Sequence, residues 1–251
     1  MTRLTLAMLL GLNCSLALGA PPQGTADKNT YLNDTVALLK KQWPGNRTVN
    51  IVCHGHSVPA GYFVTPIVDT FNAYPHLLHK GLKDAFPYSV VNVIVTAIGG
   101  EQSESGAERF DRDVLSHRPD VVAIDYRLND RGIGLERAKK AWTTMIEKAK
   151  KAGVKVILLT PTGDLSSKLD DFNDPLNRHA AQIRALAAQY HVGLVDSLAL
   201  FNRHVHNGGK LQDIMSQVNH PNRKGHDLVA KSLLSWFPKS ASADSRKRAT
   251  Q

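Results

Sequence analysis

Four short stretches of this sequence hold residues that could work together on an acyl group. Cys53-His54-Gly55-His56-Ser57 places a serine hydroxyl just past the apolar run Val49-Asn50-Ile51-Val52. Ala97-Ile98-Gly99-Gly100-Glu101-Gln102-Ser103 is a small-residue loop able to offer a bare backbone N–H to a ligand. Tyr126-Arg127-Leu128-Asn129-Asp130 brings a side-chain amide, and Asn219-His220-Pro221-Asn222 brings an imidazole. A serine within hydrogen-bond reach of a histidine is an activated nucleophile: the hydroxyl attacks a carbonyl while the imidazole removes its proton. Fixed donors then hold the oxyanion of the tetrahedral intermediate. Taken singly, each stretch has a plainer reading. Ser57 suits a turn, Gly99 and Gly100 a tight strand-to-helix loop, Asn129 a helix N-cap, and His220 a helix-entry turn. The choice depends on whether the chain brings the four together.

The elements that would do so alternate along the chain. Short continuous apolar runs predict strands at Thr48–Cys53, Val90–Val95, Val121–Asp125, Val154–Thr160 and Val192–Asp196. They are rich in Val and Ile without in–out alternation, as parallel strands covered on both faces should be. Between them lie amphipathic segments. Ala138, Trp142, Met145, Ile146 and Ala149 repeat at helical spacing against a lysine-rich face, and this helix should end at Gly153. Ile183, Leu186, Ala187 and Tyr190 form a second stripe, and Leu228, Val229, Leu233 and Trp236 a third. The alternation predicts an α/β fold: a three-layer α/β/α sandwich on a five-stranded parallel sheet in the flavodoxin-like order 2-1-3-4-5. An eight-stranded β/α barrel would need three more strands than the chain offers. In such a sheet ligands bind in the crevice beyond the carboxyl ends of the strands. Ser57, Gly100 and Asn129 follow the first three strands, and His220 lies between the fifth and the last helix, so all four should meet there.

Of the 251 residues, 1–20 read as an export signal: Arg3, an apolar run from Leu4 to Leu18, then small residues at Gly19 and Ala20. The run is too short for a comfortable membrane span, and nothing later approaches one, so no stable membrane insertion is expected after its removal. Residues 21–237 form the expected domain, secreted or periplasmic. Residues 238–251, with Lys239, Arg246, Lys247 and Arg248 among Ser, Ala and Thr, read as a basic disordered tail. The formal charge is +9, but sparse aromatics and the lack of a basic-aromatic cluster argue against a nucleic-acid partner. Loss of Cys14 with the signal leaves Cys53 alone, so the domain must rely on its core rather than a disulfide. His54-Gly55-His56 raises a metal reading, but no evident carboxylate set accompanies it. The α/β-hydrolase elbow Gly-x-Ser-x-Gly fails, since Pro59 stands where its last glycine belongs.

Across Ile51 to Trp236 the chain resembles the SGNH (GDSL-like) hydrolase family. Gly55-His56-Ser57 stands for its Gly-Asp-Ser, Gly100 for its oxyanion glycine, Leu128-Asn129-Asp130 for the end of Gly-x-Asn-Asp, and His220-Pro221-Asn222 for its His-Pro-Asn. The resemblance implies that Ser57 is the nucleophile and His220 the general base. It also implies an oxyanion hole from the N–H groups of Ser57 and Gly100 and the amide of Asn129. No cofactor or metal is implied. Three positions depart from the pattern. His56 replaces the family's Asp, and Arg127 replaces a block glycine, placing a long cation near the pocket as a substrate-binding candidate. The family's histidine-orienting Asp, three residues before the histidine, is Gln217 here. A glutamine carbonyl oxygen can accept from the imidazole but brings no charge; a backbone carbonyl or Asp213 are the other candidates. The expectation is an exported serine esterase acting on small acyl esters, such as O-acetyl groups on carbohydrate, through an acyl-enzyme. Few aromatics and no long apolar lid argue against a long-chain lipase. The rival is an SGNH-fold carbohydrate-binding domain with weakened catalysis.

Overall fold

The computed structural model describes residues 24–126 and 128–238. In chain order, α1 (Asn33–Leu39) leads to β1 (Thr48–Gly55), then α2 (Ser57–Ala60), α3 (Tyr74–Ala85) and β2 (Val90–Val95). Next come α4 (Ser103–Glu108), α5 (Phe110–Asp113), β3 (Val121–Asp125), α6 (Gly134–Lys151) and β4 (Lys155–Leu159). The chain continues through α7 (Pro175–Tyr190), β5 (Gly193–Val195), α8 (Ser197–His206), β6 (Met215–Gln217), β7 (His220–Pro221) and α9 (Arg223–Leu234). The export segment expected over 1–20 and nearly all of the basic tail lie outside the described residues, as does Arg127.

β1 to β5 form a parallel sheet in the order β2-β1-β3-β4-β5, the order expected from the sequence. Successive side chains of a strand point to opposite faces, and here both faces are apolar. Ile51, Cys53, Val121, Ala123, Ile157 and Leu159 join one buried cluster with residues of α1, α3, α8 and α9. Val52, Val122, Ile124, Val156 and Leu158 join the other with α4, α5, α6 and α7. This explains why the strands read as continuous apolar runs. The edge strand β2 is more exposed and carries Asn92. The stripes behave as their spacing implied: α6 buries Ala138, Ala141, Trp142, Met145, Ile146 and Ala149, and stops just before Gly153.

One feature is absent from the sequence-based expectation. After α8 the chain turns back on itself in a two-stranded antiparallel ribbon, β6–β7, with Gln217 opposite His220. His220 therefore sits on a short strand rather than in a helix-entry turn. Asn222 follows as the N-cap of α9, accepting from the N–H groups of Lys224 at 2.9 Å and Gly225 at 3.2 Å.

Candidate active site

The site is built where β1 ends. Gly55 lies opposite Asp125 of β3, and a Cβ at position 55 would come 2.2 Å from the Asp125 carbonyl oxygen, so only glycine fits. The His56 N–H donates to that same carbonyl at 3.1 Å. His56 then caps α2, its Nδ1 accepting from the Val58 N–H at 3.3 Å. Ser57 is thus the first residue of a short helix, held from both sides and only 6% exposed.

His220 reaches Ser57 from the β6–β7 ribbon. Its Nε2 lies 2.9 Å from Ser57 Oγ, although 163 residues separate them. Its Nδ1 faces two groups that ask for opposite tautomers. The Phe63 carbonyl oxygen, at 2.9 Å, can only accept, so it requires a proton on Nδ1. The Gln217 amide nitrogen, also at 2.9 Å, can only donate, so it requires a bare Nδ1. The Gln217 amide is turned this way because its oxygen accepts from the Thr65 N–H at 3.0 Å. Its nitrogen also meets Asn219 Oδ1 at 3.0 Å and Thr65 Oγ1 at 3.2 Å. The expectation that the Gln217 oxygen accepts from the imidazole is therefore corrected: that oxygen is held by the main chain of the 61–73 segment. Asp213 is occupied elsewhere, accepting from the Lys210 N–H at 2.8 Å. Only with Phe63 as acceptor is Nε2 free to take a proton from Ser57. Burial lowers the pKa of His220, the Phe63 carbonyl offsets part of this, and nearby His56 lowers it further. The ring is therefore neutral at neutral pH, as a base must be.

Gly100 and Asn129 meet on the neighbouring loop. The Ile98 N–H donates to the Gly55 carbonyl at 3.0 Å, tying this loop to the serine turn. Gly100 adopts φ +78°, a conformation that favours glycine, with open space where a Cβ would point. Asn129 opens a short 3₁₀ turn, Asn129–Gly132, and is not its N-cap. Its amide donates one hydrogen to the Glu101 carbonyl at 2.9 Å, leaving a second hydrogen for a ligand. Asp130 anchors the base of the loop, accepting from the Ser103 N–H and from the Trp142 indole N–H, each at 2.8 Å.

A buried polar network beneath this loop was not foreseen from the sequence. Arg109 Nε donates to Glu101 Oε1 at 2.7 Å, and its guanidinium also contacts Glu101 Oε2. The Tyr126 hydroxyl donates to Glu101 Oε2 at 2.6 Å. His54 stands against the Tyr126 hydroxyl and the Gly106 carbonyl, both 3.1 Å from Nε2, with Thr96 Oγ1 2.8 Å from Nδ1. Burial, aided by Arg109, lowers the pKa of His54 to about 4. Glu101 adjoins Gly100, so the network fixes the loop that carries it. His54 and His56 enter separate networks, and among the described residues no group of three or more His, Cys, Asp and Glu is placed to hold a metal ion. No helix there is long and apolar enough to cross a membrane. Exposed apolar residues flank the site in sequence: Val64 beside Phe63, Ile98 beside Gly99, and Val218 beside Gln217.

The GDSL-like lipase/acylhydrolase family profile matches residues 53–228, a span that begins before Ser57 and ends beyond His220. The chain belongs to this family. Its members include SGNH hydrolases, and the four blocks of this chain fall within the matched span. Among solved structures it is similar to an acetylxylan esterase from Geobacillus stearothermophilus, with TM-score 0.65 and 19% identity over 75% of this chain and 94% of that one. It is also similar to a two-domain esterase active on acetylated mannans, co-crystallised with mannopentaose, with TM-score 0.68 and 20% identity. That match covers 86% of this chain and 54% of the other, so this chain spans about half of the two-domain protein. No curated protein sequence matches the chain.

Proposed function

We propose that this protein is an exported serine esterase that removes small acyl groups, O-acetyl groups on carbohydrate among them, through an acyl-enzyme. The observation that carries this reading is the 2.9 Å contact between Ser57 Oγ and His220 Nε2 at the carboxyl edge of a parallel sheet. Ser57 attacks the ester carbonyl as its proton passes to His220, and the charge moves onto the carbonyl oxygen. The Ser57 and Gly100 N–H groups and the second amide hydrogen of Asn129 are the donors suited to hold it. Collapse expels the alcohol, which takes the proton from His220. Water, deprotonated by the same imidazole, then releases the acid and restores Ser57. The resemblance in fold to esterases of acetylated xylan and mannan supports the carbohydrate substrate. The apolar run near the N-terminus supports export. Rates on p-nitrophenyl esters of graded chain length test the reading: acetate and propionate should lead, and release of acetate from acetylated xylan or mannan should follow.

A second reading has one observation in its favour, the Gln217 amide donor at His220 Nδ1, which opposes the productive tautomer. A protein that binds an acetylated glycan without turning it over would fit that feature. Covalent labelling by a serine-directed fluorophosphonate separates the two: an esterase is modified at Ser57, whereas a binding domain stays unmodified.

A further inference from the structure

Ser57 Oγ touches a second imidazole. His56 Nδ1 lies 3.3 Å from it, and His56 Nε2 lies 3.3 Å from Asp125 Oδ1. Both side chains are buried, 1% and 3% exposed. The other oxygen of Asp125 accepts from the Tyr74 hydroxyl at 3.4 Å. The tautomer of His56 follows from its surroundings. The Val58 N–H points at Nδ1, so Nδ1 is the bare nitrogen and Nε2 carries the hydrogen, facing the carboxylate. The serine hydroxyl, with one proton, lies between His220 Nε2 at 2.9 Å and His56 Nδ1 at 3.3 Å, the latter shared with the Val58 N–H. Of these two rings, the one in contact with a carboxylate is His56; His220 is oriented by a neutral main-chain carbonyl.

We propose that His56, backed by Asp125, is a second proton acceptor on Ser57 and supplies the charge-stabilised imidazolium that Gln217 cannot support at His220. The inference rests on the esterase reading above. As the Ser57 Oγ–carbonyl bond forms, the hydroxyl proton moves to His56 Nδ1, which gives up its 3.3 Å contact with the Val58 N–H. The negative charge of Asp125, 3.3 Å from Nε2, stabilises the resulting cation. The proton then goes to the departing alcohol oxygen as its bond to the acyl carbon breaks. In deacylation the same nitrogen takes a proton from water and returns it to Ser57 as the acid leaves. His220 shares this duty, which a triad with one imidazole does not divide.

A purely structural role for His56, capping α2, makes a different prediction, and His56→Asn distinguishes the two because asparagine caps helices as well but cannot take up the Ser57 proton. We expect His56→Asn and Asp125→Asn each to lower kcat about tenfold or more with KM within twofold. Asp125→Asn should keep the melting temperature. His56→Asn, which removes one partner of the buried Asp125, should lower it without changing the kcat comparison made well below it. The double variant should be no slower than the worse single one, since the two act as a unit. The rate of fluorophosphonate labelling at Ser57 should fall in parallel. In a His220→Gln protein, labelling should persist above the level of Ser57→Ala and vanish when Asp125→Asn is added. The proposal is overturned if both single variants keep kcat and labelling rate within twofold of the parent. It is equally overturned if His220→Gln labels no faster than Ser57→Ala. A parent that labels readily yet hydrolyses no ester would defeat the esterase reading alone, and the labelling comparison would still decide the role of His56. A parent that does not label overturns both.

Discussion

Replacing Gln217 by Glu should make the enzyme faster and shift its acid limb to higher pH. The side chains are the same length, so one carboxylate oxygen can keep the Thr65 N–H now held at 3.0 Å while the other takes the place of the amide nitrogen, 2.9 Å from His220 Nδ1. A donor that opposed the productive tautomer becomes an acceptor that favours it. The other partners of the amide nitrogen adapt easily. Asn219 can rotate its amide to donate where it now accepts at 3.0 Å, and the Thr65 hydroxyl can turn likewise. A hydrogen bond to a charged group contributes about 1.5–3 kcal/mol, and solvent screening at the half-buried Gln217 reduces the gain to about 0.7–1.4 kcal/mol. With each 1.36 kcal/mol worth tenfold, kcat should rise roughly three- to tenfold. The sign for pH follows: the added negative charge raises a His220 pKa that burial now lowers, so activity is lost at a higher pH on acidification. Gln217→Met, of similar length but with neither donor nor charge, should give only the smaller gain from relief of the tautomer conflict. The assay is kcat and KM on p-nitrophenyl acetate from about pH 4 to 9, with melting temperatures as controls. An unchanged or lower kcat with an unmoved acid limb, at preserved KM and melting temperature, would refute the idea that the Gln217 amide opposes the productive tautomer of His220.

Three further outcomes are expected from the same geometry. Ser57→Ala should abolish turnover with the fold intact, and mass spectrometry of the fluorophosphonate adduct should map to Ser57; modification of another serine would contradict it. Asn129→Ala should lower kcat about 10²–10³-fold with little change in KM, the usual cost of one oxyanion donor; an effect confined to KM would assign Asn129 to substrate binding. The fold should also be acid-labile, because His54 is held neutral down to about 4 and His226 down to about 3, burial being the main cause for each. Both folded values lie below the unfolded value of 6.5, so the unfolded chain binds protons first. Their stabilisation is present above about pH 6.5 and is lost, by a few kcal/mol, as the pH falls toward 4. Melting temperatures from pH 7 to 4 check this, and His226→Gln, which keeps an acceptor for the Tyr74 N–H now 3.2 Å from Nδ1, should flatten the profile.

The central strands were legible because burial on both faces leaves no room for polar residues, so Val121–Asp125 stands out at its full length. The edge strand Val90–Val95, more exposed and interrupted by Asn92, was legible from its valine- and isoleucine-rich run alone. The strand order followed from the alternation of those runs with helices. The β6–β7 ribbon was not legible: three residues opposite two make too short a pattern for any period to register. The partner of His220 was hidden for a different reason. The Phe63 carbonyl belongs to the main chain, and a main-chain acceptor leaves no trace in residue identity. The Glu101–Arg109–Tyr126–His54 network is assembled from the loop before α4, the junction of α4 and α5, and two strand ends. Its members have no common spacing, and only the position of Glu101 next to Gly100 hinted at a link to the site.

The two departures at positions 56 and 217 are connected through Ser57. Relative to the family's pattern, each exchanges an acidic residue for another type, one beside Ser57 and one beside His220. A buried carboxylate is tolerated only where donors surround it, and Asp125 meets that condition through the hydroxyl of Tyr74 and the imidazole of His56. An aspartate at 56 would set a second carboxylate against Asp125 in the same buried space, with like charges unable to ionise together at low cost. Histidine at 56 removes that conflict and turns Asp125 from an isolated buried acid into the partner of a ring that reaches Ser57. Once a negative charge is held on that side, the base on the other side can work with a main-chain carbonyl behind it. Gln217 is then free to fasten the ribbon to the 61–73 segment through Thr65. The benefit of Gln217→Glu should accordingly be larger in an Asp125→Asn background than in the parent, because there the new carboxylate would be the one charge in contact with either imidazole that touches Ser57.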